Sequence, residues 1–225
     1  MIGKSISIII PVFNKYVFTK SCLSDLSKLP EDHEIIVFDN GSSDETKEEL
    51  SKNKRIIYIR NEENIGFGKA CNKAYQIASA PNVLFLNNDI RVKSKYENWT
   101  DVIANEAAHG YIVGPTMGQL DKDFNFVQEA NKVLDGNSYM SGWCLGGSKA
   151  TFNKLIEPGD SGPFSEKFFC YFEDTDLGFR SRKLGIPFKV VDIPVVHFGK
   201  VSSKQLNTSK LYSEARKVFL SRWKK

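Results

Sequence analysis

The sequence Asn87-Asn88-Asp89 carries side chains suited to holding a divalent cation. It directly follows the apolar run at residues 83–86, which predicts a buried strand that delivers Asp89 to the edge of a sheet. Hard cations take oxygen ligands, and few of these must come from protein when phosphate groups supply the rest. The pattern therefore predicts a metal–phosphate site. The alternative is an aspartate that only closes the turn before Ile90.

A second acidic group lies in the other half of the chain. Glu173, Asp174 and Asp176 directly follow an aromatic-rich run at residues 168–172. Carboxylates beside apolar rings are where raised pKa values and general-base function arise. The cluster therefore predicts a base for an incoming hydroxyl group. Acidic residues in the first turn of a helix also complement its dipole, so a structural role is the alternative.

Three further polar segments follow predicted strands. They are residues 11–14, 39–44 and 60–69. Asn, Asp, Gly and Ser dominate turns, so each segment taken alone favours a turn. Ligands of open α/β sheets bind outside the carboxyl ends of the strands. The coincidence of all four strand ends therefore favours a binding site.

The elements that must position these residues alternate between strands and helices. Strands are predicted at residues 6–12, 34–38, 55–59 and 83–86. Apolar stripes predict helices between the first two and the last two of these strands. Ser43 is predicted to cap a short helix at residues 46–50. This rhythm predicts a doubly wound α/β fold with a mostly parallel sheet and helices on both faces.

From about residue 94 the rhythm loosens. Helices are predicted at residues 94–108, from Glu173 to near Gly185, and at residues 211–225. Strands are predicted at residues 111–113, 141–148, 188–191 and 195–198, and a hairpin or irregular stretch at residues 118–137.

The predicted C-terminal helix is basic and amphipathic. Its basic residues are Lys210, Lys217, Arg222, Lys224 and Lys225, and its apolar residues are Leu211, Ala215, Val218 and Phe219. Such a helix could lie on an anionic membrane surface. The alternative is an apolar stripe packed against the body of the protein.

The bulk composition is that of an ordinary globular protein, with 225 residues, 41% hydrophobic and 26% charged. A net charge of +4 with dispersed basic residues argues against nucleic-acid binding. Four separated cysteines without a C-x-x-C pair exclude zinc-ribbon and redox motifs and indicate free thiols. With no signal-peptide pattern and no long apolar run, we expect a cytoplasmic protein.

These motifs together resemble the family-2 glycosyltransferases of GT-A fold. The matching segments are residues 5–14, 37–44, 64–68, 87–89, 168–180 and 196–199. The resemblance spans about residues 5–203. The residues within the motifs are most similar to those of the rhamnosyltransferase-type branch. It implies one GT-A domain over residues 1–225, with a nucleotide-binding half (1–92), an acceptor-binding half (93–205) and a C-terminal helix (206–225).

The resemblance implies inverting transfer of a sugar from a UDP-, dTDP- or GDP-linked donor to a glycan or lipid-linked acceptor. The implied donor-binding residues are Pro11, Val12, Phe13, Asn14, Asp39, Asn64, Gly66, Lys69, Asn88 and Asp89. Asp39 would bond the pyrimidine edge, and Gly66 and Lys69 would lie near the diphosphate at a helix start.

Asp89 and His197 are the implied ligands of Mn²⁺ or Mg²⁺. Asn87 departs from the aspartate of many family members, and its amide adds no charge, so a lower metal affinity is expected. A packed core histidine between Val196 and Phe198 is the alternative for His197.

On the acceptor side, the resemblance assigns the base to Asp174 and acceptor orientation to Glu173. Trp143, Gly146 and Gly147 are expected to line the acceptor pocket, with a core position as the alternative for Trp143.

Two other functions are weighed against this one. A nucleotidyltransferase would need a glycine-rich basic loop after the first strand, where residues 11–14 read Pro-Val-Phe-Asn. A non-catalytic nucleotide-sugar-binding domain would not need Asp89, Asp174 and His197 together. A dinucleotide-dependent dehydrogenase is excluded because no G-x-G-x-x-G follows the first strand.

Overall fold

The computed structural model describes residues 5–93, 98–199 and 208–224. Its largest sheet contains seven strands: β1 (Ile6–Val12), β2 (His33–Asn40), β3 (Ile57–Asn61), β4 (Asn82–Leu86), β6 (Ile112–Gly114), β10 (Cys144–Ser148) and β11 (Phe188–Val190). Their order is β11-β6-β10-β4-β1-β2-β3. The pairs β3–β2, β2–β1, β1–β4 and β6–β11 are parallel, whereas β10 is antiparallel to both of its neighbours. The predicted mostly parallel sheet is confirmed.

Two small antiparallel sheets flank it. The first pairs β5 (Ile90–Val92) with β12 (Val195–His197), and the second places β7 (Met117–Leu120) between β8 (Phe126–Ala130) and β9 (Ser138–Met140). The stretch at residues 118–137 is therefore mainly a strand hairpin. Four of the five residues of β8 are exposed, which explains why no alternating apolar pattern marks it.

Seven helices occur in the described part of the chain. They are α1 (Tyr16–Leu26), α2 (Thr46–Leu50), α3 (Phe67–Ile77), α4 (Trp99–Ala108), α5 (Lys149–Asn153), α6 (Glu173–Lys183) and α7 (Thr208–Trp223).

Helices cover both faces of the large sheet. Ile8 and Ile10 of β1 share one core cluster with residues of α1 and α4, whereas Ile9 lies in a second cluster with residues of α3 and α5. All three isoleucines are 0% exposed. Side chains of a strand alternate between its faces, so coverage on both faces requires an unbroken apolar run.

Several predicted boundaries are wrong by a few residues. The predicted Ser43 cap is wrong, because Asp44 Oδ1 instead accepts a hydrogen bond from the Thr46 backbone N–H at 3.1 Å. Residues 94–97 of the helix predicted at 94–108 lie outside the described residues, and α4 begins at Trp99. Gly185 follows α6 with φ +67°, the left-handed conformation expected after a helix end.

Helix α7 packs its apolar stripe on the body of the protein. Phe219 is fully buried among Phe124, Phe172, Phe179 and Trp223. The alternative of a packed stripe is therefore confirmed for this helix. Across the described ranges, no helix combines the length and apolar character needed to cross a membrane.

Candidate active site

Asn87, Asp89 and His197 converge at the end of β4. His197 lies on β12 opposite Ile90, and this pairing brings its ring to the residues that follow β4. Its Nε2 lies 3.0 Å from Asp89 Oδ1 and 3.2 Å from Asn87 Nδ2. A carboxylate, an imidazole nitrogen and an amide that can turn its oxygen inward form a donor set that fits a divalent cation.

The charge of this donor set is low. Among the described residues, no three His, Cys, Asp or Glu side chains form a potential metal cluster, and the third member here is an amide. Asp89 is the single carboxylate of the group and is only 5% exposed. The residues fit a cation that also receives ligands from a phosphate group.

Asn88 does not face this cluster. Its Nδ2 donates to Thr19 Oγ1 of α1 at 2.8 Å, and the side chain is buried. The chain bends at Asn88 and Asp89 between β4 and β5, and Asn87 and Asp89 contact His197 while Asn88 turns to α1. The expectation of a donor-binding side chain at Asn88 is therefore wrong, because its amide is buried against α1.

The loops after β1 and β2 are bonded to each other. The Asn14 backbone N–H donates to Ser42 Oγ at 2.8 Å, and the Ser43 N–H donates to Asn14 Oδ1 at 2.7 Å. Pro11 and Phe13 are partly exposed beside them. Val12 is 2% exposed and packs in the core, so its side chain is not available to a ligand.

Asp39 lies at the carboxyl end of β2, directly before these loops. It is fully buried and accepts hydrogen bonds from Tyr58 Oη at 2.7 Å, from Arg60 and from the Ser42 N–H at 2.9 Å. Burial and the adjacent Asp39 raise the pKa of Tyr58 well above its usual value. Tyr58 and Arg60 therefore both occupy Oδ2, whereas Oδ1 accepts from the Ser42 N–H.

Asn40 shapes the loop that precedes α3. Its Oδ1 accepts from the Ile65 N–H at 2.9 Å, and its Nδ2 donates to Asn64 Oδ1 at 2.9 Å and to the Gly66 carbonyl at 3.2 Å. This residue was not among the predicted site residues. The feature of the sequence that could have pointed to Asn40 is its position directly after Asp39. Its side chain holds the loop that carries Asn64 and Gly66.

The start of α3 touches the aromatic run. Gly66 has φ +91°, and a Cβ there would lie 2.4 Å from the Phe169 carbonyl oxygen, so only glycine fits. The Phe67 N–H donates to that same carbonyl at 2.9 Å. Lys69 is partly exposed in the first turn. The two motif regions, far apart in sequence, therefore meet at the N-terminus of α3.

The acidic residues at the start of α6 have different surroundings. Tyr171 and Phe172 both adopt positive φ and turn the chain into the helix. Asp174 is partly exposed, and its Oδ2 accepts from the Gly142 N–H at 2.9 Å. Glu173 is 5% exposed, and its Oε1 has no hydrogen-bond partner within the described part of the chain.

The pKa values of the two adjacent carboxyl groups diverge. Burial, reinforced by the charge of Asp174, raises the pKa of Glu173 to about 8. Burial also raises the pKa of Asp174, but the N–H groups of Gly142 and Thr175 oppose that rise. Glu173 is therefore mostly protonated at neutral pH, which leaves Asp174 free to ionise.

Asp176 has a structural position. It is fully buried and accepts hydrogen bonds from Arg180 and Arg222 at 2.8 Å each and from Trp223 Nε1 at 2.9 Å. A carboxylate saturated by two guanidinium groups is not available to take a proton from a substrate. It anchors α7 to α6.

Trp143 lies between Asp174 and the cluster of Asn87, Asp89 and His197. Its ring stacks on His197 with centroids 5.0 Å apart and an interplanar angle of 8°. Its carbonyl accepts from the Asn87 N–H at 2.9 Å, and the preceding residue, Gly142, donates to Asp174. Trp143 is partly exposed and also packs against the core cluster that contains Ile8 and Ile10, so one part of its side chain is open to a ligand.

Gly146 and Gly147 do not line a pocket. They lie in β10 between β4 and β6, and both are buried. A Cβ at Gly146 would lie 2.4 Å from Ile103 Cγ2, and one at Gly147 would lie 2.9 Å from the Phe152 ring. The expectation of acceptor contacts here is wrong, because these glycines make room for helices packed on the sheet.

A cavity of about 600 Å³ opens beside Trp143 and His197. Its other walls carry both hydrogen-bond donors and acceptors: Lys93, Thr116, Glu129, Asn131 and Asp192. Glu129 was not among the predicted site residues. Burial pushes the pKa of Glu129 up, but hydrogen bonds from Thr116, Ser141 and Trp143 hold it below its usual value.

Comparison with known proteins matches this chain to a family. The model of the family described as glycosyl transferase family 2 matches residues 7–154. The chain belongs to this family, as the motifs indicate, and its architecture is that of the GT-A fold.

Individual relatives agree with the family. EpsH of Bacillus subtilis (strain 168), which carries the name of a glycosyltransferase, is 29% identical over 126 residues, covering 50% of this chain and 37% of EpsH. Validoxylamine A glucosyltransferase of Streptomyces hygroscopicus subsp. limoneus is 30% identical over 99 residues, covering 40% of this chain and 22% of its own length. The aligned part thus spans well under half of either relative.

A solved structure extends the likeness to most of the chain. The mannosyltransferase PcManGT from Pyrobaculum calidifontis, in complex with GDP-Man and Mn²⁺, superposes with a TM-score of 0.59. The superposition covers 84% of this chain and 55% of PcManGT at 13% sequence identity, which establishes a common fold.

Proposed function

We propose that this chain is an inverting glycosyltransferase that moves a hexosyl or rhamnosyl unit from a UDP-, dTDP- or GDP-linked donor to an acceptor hydroxyl. One observation carries the proposal. Gly142 donates to Asp174, and the next residue, Trp143, stacks on His197 at the candidate cation site. A base and a cation site are therefore built on two consecutive residues, which suits one displacement between an acceptor and a diphosphate.

Asp174 is the proposed base. Its Oδ2 is fixed by the Gly142 N–H, and its Oδ1 accepts from the Thr175 N–H at 2.7 Å. Both bonds favour the ionised form, whereas burial makes that form more basic than an ordinary aspartate. Glu173 is buried beside it in the protonated form and does not compete for the acceptor proton. Its proposed role in orienting the acceptor would use a neutral carboxyl group.

Asp89, His197 and the Asn87 amide are the proposed holders of Mn²⁺ or Mg²⁺. When bound, such a cation neutralises charge that develops on a departing diphosphate. PcManGT, which has the same fold, is in complex with Mn²⁺ and GDP-Man. In this chain, Asp89 supplies the one carboxylate, and His197 presents Nε2 to the same point.

The donor nucleotide is proposed to lie over the loops after β1, β2 and β3. Pro11, Phe13 and Asn14 present side chains or backbone there, and Val12 contributes backbone alone. The Asn64–Gly66 loop and Lys69 would lie beside the diphosphate. A base contact at Asp39 would use this carboxylate beside the Arg60 guanidinium, which bonds its Oδ2.

The acceptor is proposed to be a glycan or a lipid-linked saccharide entering from the side of Trp143. The cavity next to Trp143 offers both donors and acceptors of hydrogen bonds, as polyhydroxylated rings require. We do not propose that the apolar stripe of α7 contacts a membrane, because this stripe packs against the body of the protein. Exposed Lys210, Lys217 and Lys224 could still attract an anionic surface.

Residues 1–225 are proposed to act as one domain in a reducing, cytoplasmic compartment. Strands from both halves, β4 and β10, pair within one sheet, which supports a single unit. Cys22, Cys71, Cys144 and Cys170 are free, and the first three are buried, which suits a reducing environment.

The test replaces Asp174 with asparagine, which keeps shape and hydrogen bonding but cannot take the proton. Wild type is first screened with UDP-, dTDP- and GDP-linked sugars. Asp174→Asn should lower turnover by about a hundredfold to ten-thousandfold. Affinity for the nucleoside diphosphate, measured by calorimetry, should stay unchanged because the base faces the acceptor.

Asp135→Asn, an exposed aspartate on the loop before β9, serves as the matched control and should behave as wild type. NMR of the product linkage reports the stereochemistry. Near-normal turnover of Asp174→Asn removes this residue from its role. A product that retains the donor's anomeric configuration rejects the single displacement. Release of sugar 1-phosphate, with the nucleoside monophosphate attached to the acceptor, indicates nucleotidyl transfer instead.

A further inference from the structure

Glu129 lies on β8, outside every motif of the family, yet it touches the site. Its Oε1 accepts hydrogen bonds from Thr116 Oγ1 at 2.6 Å, from Ser141 Oγ at 2.7 Å and from Trp143 Nε1 at 3.3 Å. The remaining residues of the strand face solvent or pair with β7. One carboxylate oxygen thus joins β8 to two other segments of the chain, one at Thr116 and one at residues 141–143.

The side chains of Trp143, Thr116 and Glu129 are joined pairwise by hydrogen bonds. Trp143 Nε1 also donates to Thr116 Oγ1 at 3.0 Å, so the Thr116 hydroxyl accepts from the indole while it donates to Glu129. Each hydroxyl has one hydrogen to donate, and the direction of both bonds is therefore fixed. The indole ring is held at its polar edge by two partners.

The other end of this arrangement is His197. Its imidazole lies flat on Trp143, with an interplanar angle of 8°. In this orientation Nε2 points at Asp89 and Asn87. A histidine that holds a cation depends on neighbours that fix the plane of its ring, and loss of such neighbours lowers metal affinity.

We propose that Glu129 is a positioning residue for the cation site, which acts by holding Trp143 against the imidazole of His197. The inference rests on the proposed function, because it presupposes that His197 binds the cation. It assigns the β7–β9 sheet a part in donor binding, although that sheet lies outside the nucleotide-binding strands. Glu129 itself makes no contact with Asp89 or Asn87 among its hydrogen bonds.

The first measurement follows His197 by NMR without metal. The chain has three histidines, so His197→Gln identifies the resonances of this one. The stacked indole should shift them by its ring current. In Glu129→Ala the shift should shrink, and Glu129→Gln should retain most of it, because the amide oxygen still accepts a hydrogen bond.

Gln128→Ala is the matched control on the same strand, since Gln128 is exposed and bonds Gln119 instead of Trp143. It should leave the His197 resonances in place. Thermal unfolding should show that the Glu129 and Gln128 variants fold as wild type does, as expected for side chains exposed on an edge strand. The same measurement on His197→Gln checks that this variant is folded.

The second measurement is the affinity for Mn²⁺ in the presence of UDP, and separately of GDP, followed by the EPR signal of free Mn²⁺. His197→Gln should weaken binding most. Glu129→Ala should weaken it by about tenfold, at the lower end of the effect of outer partners on metal affinity. Glu129→Gln should recover most of the loss, and Gln128→Ala should show none.

The outcomes separate the two proposals. Unchanged Mn²⁺ affinity in His197→Gln rejects the cation site itself, and the role of Glu129 falls with it. Weaker binding in His197→Gln with unchanged binding in Glu129→Ala overturns the positioning role alone. Weaker Mn²⁺ binding in Glu129→Ala with unmoved His197 resonances also overturns it, because Glu129 would then act on the cation or nucleotide directly.

Discussion

The proposed nucleotide and acceptor sides of the site are built differently. On the nucleotide side, the loops after β1, β2 and β3 hold one another, as when Asn14 bonds Ser42 and Asn40 bonds the loop at Asn64. On the acceptor side, each group is held by a distant element. Gly142 fixes Asp174, and Trp143 is stacked on His197.

This difference indicates which side depends on packing between elements that are distant in the sequence. The nucleotide loops share one sheet edge, and their strands are paired along their whole length. The acid cluster sits at the start of α6, directly after an aromatic run that packs against α7. Disturbing α7 should therefore affect Asp174 more than the loops after β1 and β2, since the aromatic run touches the nucleotide side at the start of α3.

The largest effect is expected from Phe219→Ala. Phe219 is fully buried and contacts Phe172, the residue just before Glu173. Removing such a ring costs about 3–5 kcal/mol of unfolding free energy. Denaturant unfolding measures this cost, and activity should fall further than nucleoside diphosphate affinity.

Lys217→Ala on the exposed side of α7 is the control and should change stability by less than about 0.5 kcal/mol. Equal losses of nucleotide affinity and turnover in Phe219→Ala would contradict the comparison, since both sides would then depend on α7.

A smaller effect is expected at the cation site, where the two sides meet. Asp89→Asn removes the single carboxylate of the proposed site. Losing a residue that only supports a metal ligand weakens metal binding by up to about a hundredfold, so losing the ligand itself should weaken Mn²⁺ binding by at least that much. Asn87→Asp adds a second carboxylate and should strengthen it. Calorimetry with nucleoside diphosphate, with and without Mn²⁺, measures both.

Opposite shifts in these two variants would place the cation between Asn87 and Asp89. If Asp89→Asn keeps its metal-dependent nucleotide affinity, the cation lies elsewhere. The His197–Asp89 hydrogen bond would then be a structural contact.

The sequence could predict the nucleotide side well because its signals are short-range. Apolar runs mark β1, β2 and β4, and each is followed by its polar loop. Even there, the sequence could not show that Asn88 turns to Thr19 or that Val12 is buried, since both depend on packing against the sheet.

The acceptor side was harder to predict for a physical reason. Gly146 and Gly147 look like pocket glycines, but their role depends on Ile103 and Phe152, which approach from other elements. Glu129 sits on an exposed strand without alternation, and its partner Trp143 is 14 residues away. Only the motif at Glu173-Asp174, which begins a helix, was visible locally.

The smallest effect concerns the pH dependence of stability and tests the pairing of Glu173 with Asp174. Burial, reinforced by Asp174, raises the pKa of Glu173 from 4.5 to about 8 in the folded protein. The folded state therefore binds this proton more tightly than the unfolded chain, so the stabilisation is complete below pH 4.5 and is lost as pH rises toward 8. The slope cannot exceed about 1.4 kcal/mol per pH unit for one proton. Glu173→Gln is neutral at every pH and should flatten the curve of unfolding free energy over this window. An equally steep decline in wild type and Glu173→Gln would show that Glu173 is ionised in the folded protein, and Asp174 would then lose the neutral neighbour that lets it act as a base.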